Sequence, residues 1–226
     1  LTKKSVPAEN YPFCTIDPSV GVVAVPDERL WKLSTFSKSA KTIPAAVEFV
    51  DIAGLVKGAA EGQGLGNKFL SHIRETDAIA EVVRIFKDDK IIHVENKIDP
   101  LNDIDVINLE LVLADLETVT KRLASVQKDV KAHKKEAILE ENLLHRVRKI
   151  LEEGKLVNGI ILHDDEKPIL KQLNLLSVKP ILYVLNSSEA GENNESVLSK
   201  IPGAFVKVDP VFENGLNDLI KRGYEV

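Results

Sequence analysis

The sequence contains no methionine and a single cysteine, Cys14. One thiol cannot close a disulfide within the chain, which excludes a disulfide-stapled secreted scaffold and suits a reducing cytosol. Cys14 reads as a packed loop thiol rather than a redox handle, because no neighbouring residue would lower its pKa. No apolar run approaches the ~20 residues that span a bilayer, and no signal-peptide pattern opens the chain. The expected compartment is therefore the cytoplasm. A chain that starts at Leu1 and lacks Met reads as an internal segment of a longer product, or as a product that lacks its first residues. Positive charge is also short: 30 Lys and Arg against 35 Asp and Glu leave a net charge of −5. No global basic field argues for nucleic acid. The local basic density at Lys128, Lys131, Lys134, Lys135, Arg146, Arg148 and Lys149 reads as a solvated helical face.

What is present is a globular composition, with 44% hydrophobic and 29% charged residues over 226 positions. That length suits one large domain, or one domain with an insertion. The most informative stretch is Glu48-Phe49-Val50-Asp51-Ile52-Ala53-Gly54-Leu55. An apolar run stops at Asp51, and Gly54 follows. Phosphate-transferring nucleotide hydrolases use such a strand end to bring a carboxylate near Mg²⁺ and a backbone N–H near the γ-phosphate. Alone, the pattern suits equally an Asp that caps the next turn. Gly58, Gly62, Gly64 and Gly66 shift the balance, since repeated glycine lets a backbone approach a ligand and change shape. Residues 67–75 then read as helical. The layout is that of a nucleotide-sensing switch.

Around this stretch, 20–25, 46–50, 78–86, 180–186 and 204–208 read as strands. Residues 27–34, 167–173 and 214–222 read as helices. Glu81 is awkward inside a strand buried on both faces. Between residues 104 and 130 apolar residues recur at helical spacing. Ile107, Leu111 and Ala114 form one line; Leu109, Leu113, Leu116, Val119, Leu123, Val126 and Val130 form another. A second helical segment, 135–153, follows a short connection, so residues 101–154 read as an antiparallel, coiled-coil-like hairpin. The flanking segments, 1–100 and 155–226, alternate strand and helix, which predicts a parallel sheet with ligands at the strand C-terminal ends. Two tetrapeptides could read a nucleotide base there. Asn186-Ser187-Ser188-Glu189 follows a buried strand, and Asn96-Lys97-Ile98-Asp99 spells the usual guanine-reading pattern. Position favours Asn186 and Glu189; Asn96 and Asp99 stand as the alternative pair.

These residues resemble the YchF family of Obg-related P-loop NTPases, which is associated with translation. The likeness is carried by Asn10-Tyr11-Pro12-Phe13-Cys14-Thr15-Ile16-Asp17-Pro18, by Asp51-Ile52-Ala53-Gly54-Leu55-Val56-Lys57-Gly58-Ala59, by the stretch from Gly62 to Arg74, and by Lys179-Pro180 leading to Asn186 and Glu189. The resemblance implies an α/β P-loop G-domain with a parallel sheet flanked by helices and interrupted by an antiparallel helical insertion. It implies an ATPase or GTPase that is Mg²⁺-dependent, prefers ATP over GTP and acts as a monomer with the ribosome or a ribosomal subunit, with no membrane and no DNA as partner. By matching position, Thr15 and Asp51 would serve Mg²⁺ and Gly54 the γ-phosphate. Leu55 occupies the place of a water-orienting glutamine, and an apolar side chain cannot orient water. His93 is the candidate for a group that reaches the phosphates instead, against a plainer reading as a surface histidine. The family's Gly-x-x-x-x-Gly-Lys-Ser/Thr loop and its C-terminal TGS domain are not among these residues, so activity of the segment alone is open.

Overall fold

A computed structural model describes residues 19–52, 65–86, 99–188 and 195–221. The chain divides into two compact units, Leu1–Gly54 and Leu55–Val226. In the first, strand β1 (Ser19–Ala24) leads to helix α1 (Glu28–Ser37) and strand β2 (Ala46–Asp51). Asp27 ends the extended segment and starts the helix, because its carboxylate accepts from Arg29 N–H at 2.9 Å. Lys38, in the left-handed region at φ 49°, ends it. The alternation of strand and helix predicts a parallel pair, but β1 and β2 are antiparallel, with Val20 opposite Val50 and Ala24 opposite Ala46. A parallel crossover needs its helix laid on the sheet face. Helix α1 buries none of its side chains, and residues 39–45 carry the chain back, so that Val25 N–H reaches Ala45 O at 2.8 Å.

The second unit begins with helix α2 (Leu65–Arg74) and strand β3 (Ile79–Arg84). Helices α3 (Pro100–Lys131), α4 (Lys135–Glu152) and α5 (Glu166–Gln172) come next. Strand β4 (Ile181–Asn186), helix α6 (Glu195–Leu198), strand β5 (Phe205–Val208) and helix α7 (Pro210–Lys221) complete it. Strands β3, β4 and β5 form a parallel sheet in that order. The expected parallel sheet is thus present, and the helical hairpin lies in the connection between two adjacent strands. One sheet face packs Val83, Ile85, Tyr183 and Leu185 against Ile104 of α3, with Ile201 at its margin. On the other face Val82, Leu182 and Val206 are exposed, so β4 is buried on one side rather than two.

Helices α3 and α4 pack antiparallel across a three-residue connection in which His133 takes a positive φ of 54°. Arg122 grips Glu140 with two bonds of 2.5 and 2.9 Å, and Gln127 donates to Glu141 at 2.6 Å. Val112, Val119, Leu123 and Val126 of α3 face Leu143, Leu144, Val147 and Leu151 of α4, closed by Val157, Leu170 and Leu175. This corrects one predicted stripe: Leu109 and Leu113 are exposed, at 48% and 39%, while Val112 is buried. The reason is polar. The buried line runs through Asp115, fully enclosed at 0% exposure, so a count of apolar residues alone places the line too far around the helix.

Asp115 gathers several polar contacts in the core. Its carboxylate accepts from Leu176 N–H at 2.9 Å, Ser177 N–H at 2.7 Å and Ser177 Oγ at 2.6 Å. Arg74 Nη1 lies 3.5 Å away. Burial pushes this carboxyl up from the ordinary aspartate value; the bonds from Ser177 and Leu176 and the Arg74 charge oppose that shift.

Glu81 is a second acid buried in this unit, alongside Glu110 and Glu166. It faces the α3 side of β3 opposite Tyr183, at 8% exposure, and its Oε2 has no hydrogen-bond partner. Burial, assisted by Asp103, pushes its pKa up from 4.5 to about 8. The folded chain therefore holds a proton that the unfolded chain releases above pH 4.5. The resulting stability is fully present below that value and is lost as pH rises through about 8. Thermal unfolding between pH 5 and 9 should show a steeper fall in Tm for the natural chain than for Glu81→Gln. Equal slopes would contradict this assignment.

Candidate functional site

Parallel strands bring their C-terminal ends to one edge, and open α/β sheets bind ligands there. Here the edge is one rung: Arg84, Asn186 and Val208 are direct neighbours across β3, β4 and β5. The ladder continues just beyond it, with Ile85 N–H donating to Asn186 O and Ser187 N–H to Val208 O, both at 2.9 Å. The Asn186 backbone is thereby held on both sides, and the residue is half-buried. Ser187 is buried, and its hydroxyl donates to Val208 O at 3.1 Å. The Arg84 guanidinium lies 4.7 Å from the Phe86 ring centroid, and its Nε donates to Phe86 O at 3.0 Å. Asp209, just past β5, accepts from the N–H groups of Val211 and Phe212 and so starts α7. The edge thus presents an amide that can both donate and accept, on backbone that cannot shift without breaking the ladder.

In the first unit, Asp51 ends β2 opposite Ser19 and is exposed. An exposed carboxylate at a strand end offers the hard oxygen donors that Mg²⁺ takes, so this residue fits the ion.

A family profile described as "50S ribosome-binding GTPase" matches residues 1–115. The chain is 44% identical over 258 residues to "Ribosome-binding ATPase YchF" of Bacillus subtilis, covering all of this chain and 70% of that protein. The chain belongs to the YchF family. The Haemophilus influenzae protein of the same name is 47% identical over 201 residues, which span 89% of this chain and 55% of the relative. The solved "Structure of the Schizosaccharomyces pombe YchF GTPase" superimposes with a TM-score of 0.70 at 33% identity, covering 94% of this chain and 63% of that one. The fold is accordingly that of a P-loop NTPase. The chain represents between about half and about two-thirds of these YchF relatives.

Of the residues that sequence reasoning assigned to a YchF site, Asn186 lies on the parallel edge and Asp51 at the end of β2, in separate units. Thr15, Gly54, His93, Asn96 and Glu189 lie outside the described residues. Asp99 serves a helix end: as the N-cap of α3, ahead of Pro100, its Oδ1 accepts from Asn102 N–H at 3.4 Å. Arg84 and Ser187 were not foreseen. Ser187 was legible as the residue after the candidate base-reading Asn186, whereas Arg84 becomes visible only once the β3–β4 register is known.

The two candidate base-reading pairs separate by experiment. Asp99→Ala should cost about 1 kcal/mol of stability through the lost cap and leave nucleotide choice unchanged. Asn186→Ala should do the reverse, weakening nucleotide binding about tenfold, the cost of roughly one well-placed hydrogen bond. Chemical denaturation and nucleotide titration of both variants check this; a nucleotide effect confined to Asp99→Ala would favour the alternative pair.

Proposed function

We propose that this chain is the nucleotide-binding portion of a Mg²⁺-dependent nucleoside triphosphatase that acts with the ribosome and prefers ATP over GTP. The observation that carries the reading is Asn186, fixed by its ladder bonds at the C-terminal edge of the parallel sheet. The names of the YchF relatives, ATPase, GTPase and ribosome-binding, support the reaction and the partner. In this reading the G-domain comprises 1–100 and 155–226, and residues 101–154 are an insertion. The direct pairing of β3 with β4 supports this, since the sheet closes as though the hairpin were not there.

The Asn186 amide reads N7 of the base, and Glu189 reads the base edge. Guanine requires an acceptor aimed at its N1–H and N2–H₂, and Asn-x-x-Glu displaces that carboxylate relative to Asn-x-x-Asp. Adenine tolerates the change. Gly54 N–H donates to the γ-phosphate. Thr15 and Asp51 are the residues that would hold Mg²⁺. Mg²⁺, when bound, neutralises charge on the phosphate oxygens. Leu55 does not orient the attacking water, and His93 is the residue assigned to that end of the site. Hydrolysis transfers the γ-phosphoryl group to water and releases the diphosphate and inorganic phosphate. In the natural polypeptide, Asp51→Asn should lower Mg²⁺-dependent ATP turnover by about 100-fold while leaving Tm within a few degrees. No Mg²⁺-dependent turnover of either ATP or GTP by the natural polypeptide would contradict the proposal.

A second reading, a binding module without catalysis, draws on the hairpin. Lys128, Lys131, Lys134 and Lys135 are exposed at its tip, with Lys134 paired to Asp129 at 2.8 Å. If these lysines contact ribosomal RNA phosphates, affinity should fall steeply with salt, and each Lys→Ala change should flatten the log–log slope by about 1. Salt-independent or absent RNA binding would count against the module.

A further inference from the structure

Helix α2 follows directly on the glycine-rich stretch that the sequence marks as a sensor, and its far end is fastened to the hairpin. Arg74, the last residue of α2, points Nη1 toward Asp115 at 3.5 Å and donates it to Asn174 O at 2.9 Å. Its Nη2 donates to Thr118 Oγ1 at 3.1 Å, and that hydroxyl donates in turn to Ala114 O at 3.0 Å. Lys179 closes the helix end, donating from Nζ to Arg74 O at 3.1 Å and also to Thr76 O. A cation on these last carbonyls is where the helix dipole favours one. One arginine thus bridges α2, α3 and the segment before β4. The hairpin's exit is tied to the same place, since Val157 N–H donates to Ser177 O at 3.0 Å while Ser177 bonds Asp115.

We infer that Arg74, Asp115 and Lys179 form a joint that passes the position of α2 to the helical hairpin, so that the hairpin tip changes its orientation with the bound nucleotide. The inference rests on the nucleotide reading above. Its physical basis is that the joint leaves α2 no independent travel. Asp115 is fully enclosed and held by two backbone N–H groups and the Ser177 hydroxyl, so α2 cannot shift far without either parting Arg74 from Asp115 or carrying α3 along. Parting them would leave a buried carboxylate short of its counter-charge. Beyond Asp115, α3 and α4 share one continuous core, and close packing of this kind ties their motion together. From Asp115 to Lys131 the helix runs about 24 Å, so a tilt of about 10° moves the tip by roughly 4 Å. These residues are positioning residues: they touch neither base nor phosphate in this reading.

The test uses the natural full-length polypeptide carrying spin labels on unnatural residues placed at Lys131 on the hairpin tip and Val206 on the sheet, with the distance between them compared between ADP and a non-hydrolysable ATP analogue. The natural protein should show a nucleotide-dependent difference of about 4 Å in that distance. Asp115→Asn keeps the shape and removes the charge; Arg74→Lys keeps the charge and removes the three-way fork. In either variant the difference should be lost, with nucleotide affinity retained within about threefold. Arg74→Lys, at a partly exposed position, serves if Asp115→Asn does not fold. Nucleotide binding with no hairpin difference in the natural protein, or the same difference in both variants, overturns the joint alone. Absence of nucleotide binding by the natural protein overturns the joint together with the reading on which it rests.

Discussion

A single buried carboxylate organises the larger unit. Asp115 has no access to water, yet three donated hydrogen bonds and one guanidinium meet its two oxygens. A charge taken out of water is tolerated only when its oxygens are satisfied this fully. The requirement fixes several things together: the rotation of α3, the path of 174–178, the end of α2, and the point where the hairpin re-enters the sheet. An apolar residue at this position would pack as well but would specify none of these directions. Polar groups of this kind select one arrangement among several of similar packing energy.

The sheet and the hairpin then divide the work. Strands β3 and β4 pair in parallel over all six residues of each, although the whole of α3, α4 and α5 lies between them in the chain. The long connection is accommodated because the hairpin carries its own core, Val112 to Leu175, separate from the cluster under the sheet. Only the N-terminal turns of α3, through Ile104, belong to the sheet's core. The C-terminal strand edge is left with Arg84 and Asn186 on fixed backbone, at the end of the sheet where open α/β folds bind ligands.

Much of this was legible in the sequence, because the signals were local. Proline, glycine and β-branched runs marked the strand ends, and a helical period over more than 25 residues marked α3. The resemblance carried by the stretches 10–18, 51–59 and 62–74 pointed to YchF, where the comparisons also lead. What could not be read was set by distant residues. The antiparallel pairing of β1 with β2 follows from a helix that leaves the sheet face, which its sequence does not announce. The rotation of α3 depends on Asp115, whose partners lie about 60 residues away. Glu81 stood out as a misfit in a strand, and its burial under α3 without a partner for one oxygen gives the misfit a physical consequence. The clue to Asp115 was available: a lone carboxylate four residues before Val119 on an otherwise apolar line announces a buried partner elsewhere.

In the proposed function the sheet edge belongs to a nucleotide site completed by a cation. The most direct measurement is an equilibrium titration of the natural polypeptide with labelled ATP and GTP analogues, with and without Mg²⁺. The account predicts tighter binding of ATP than of GTP and a marked loss of affinity when Mg²⁺ is withdrawn. Binding of neither nucleotide by a folded protein, or binding indifferent to Mg²⁺, would contradict it.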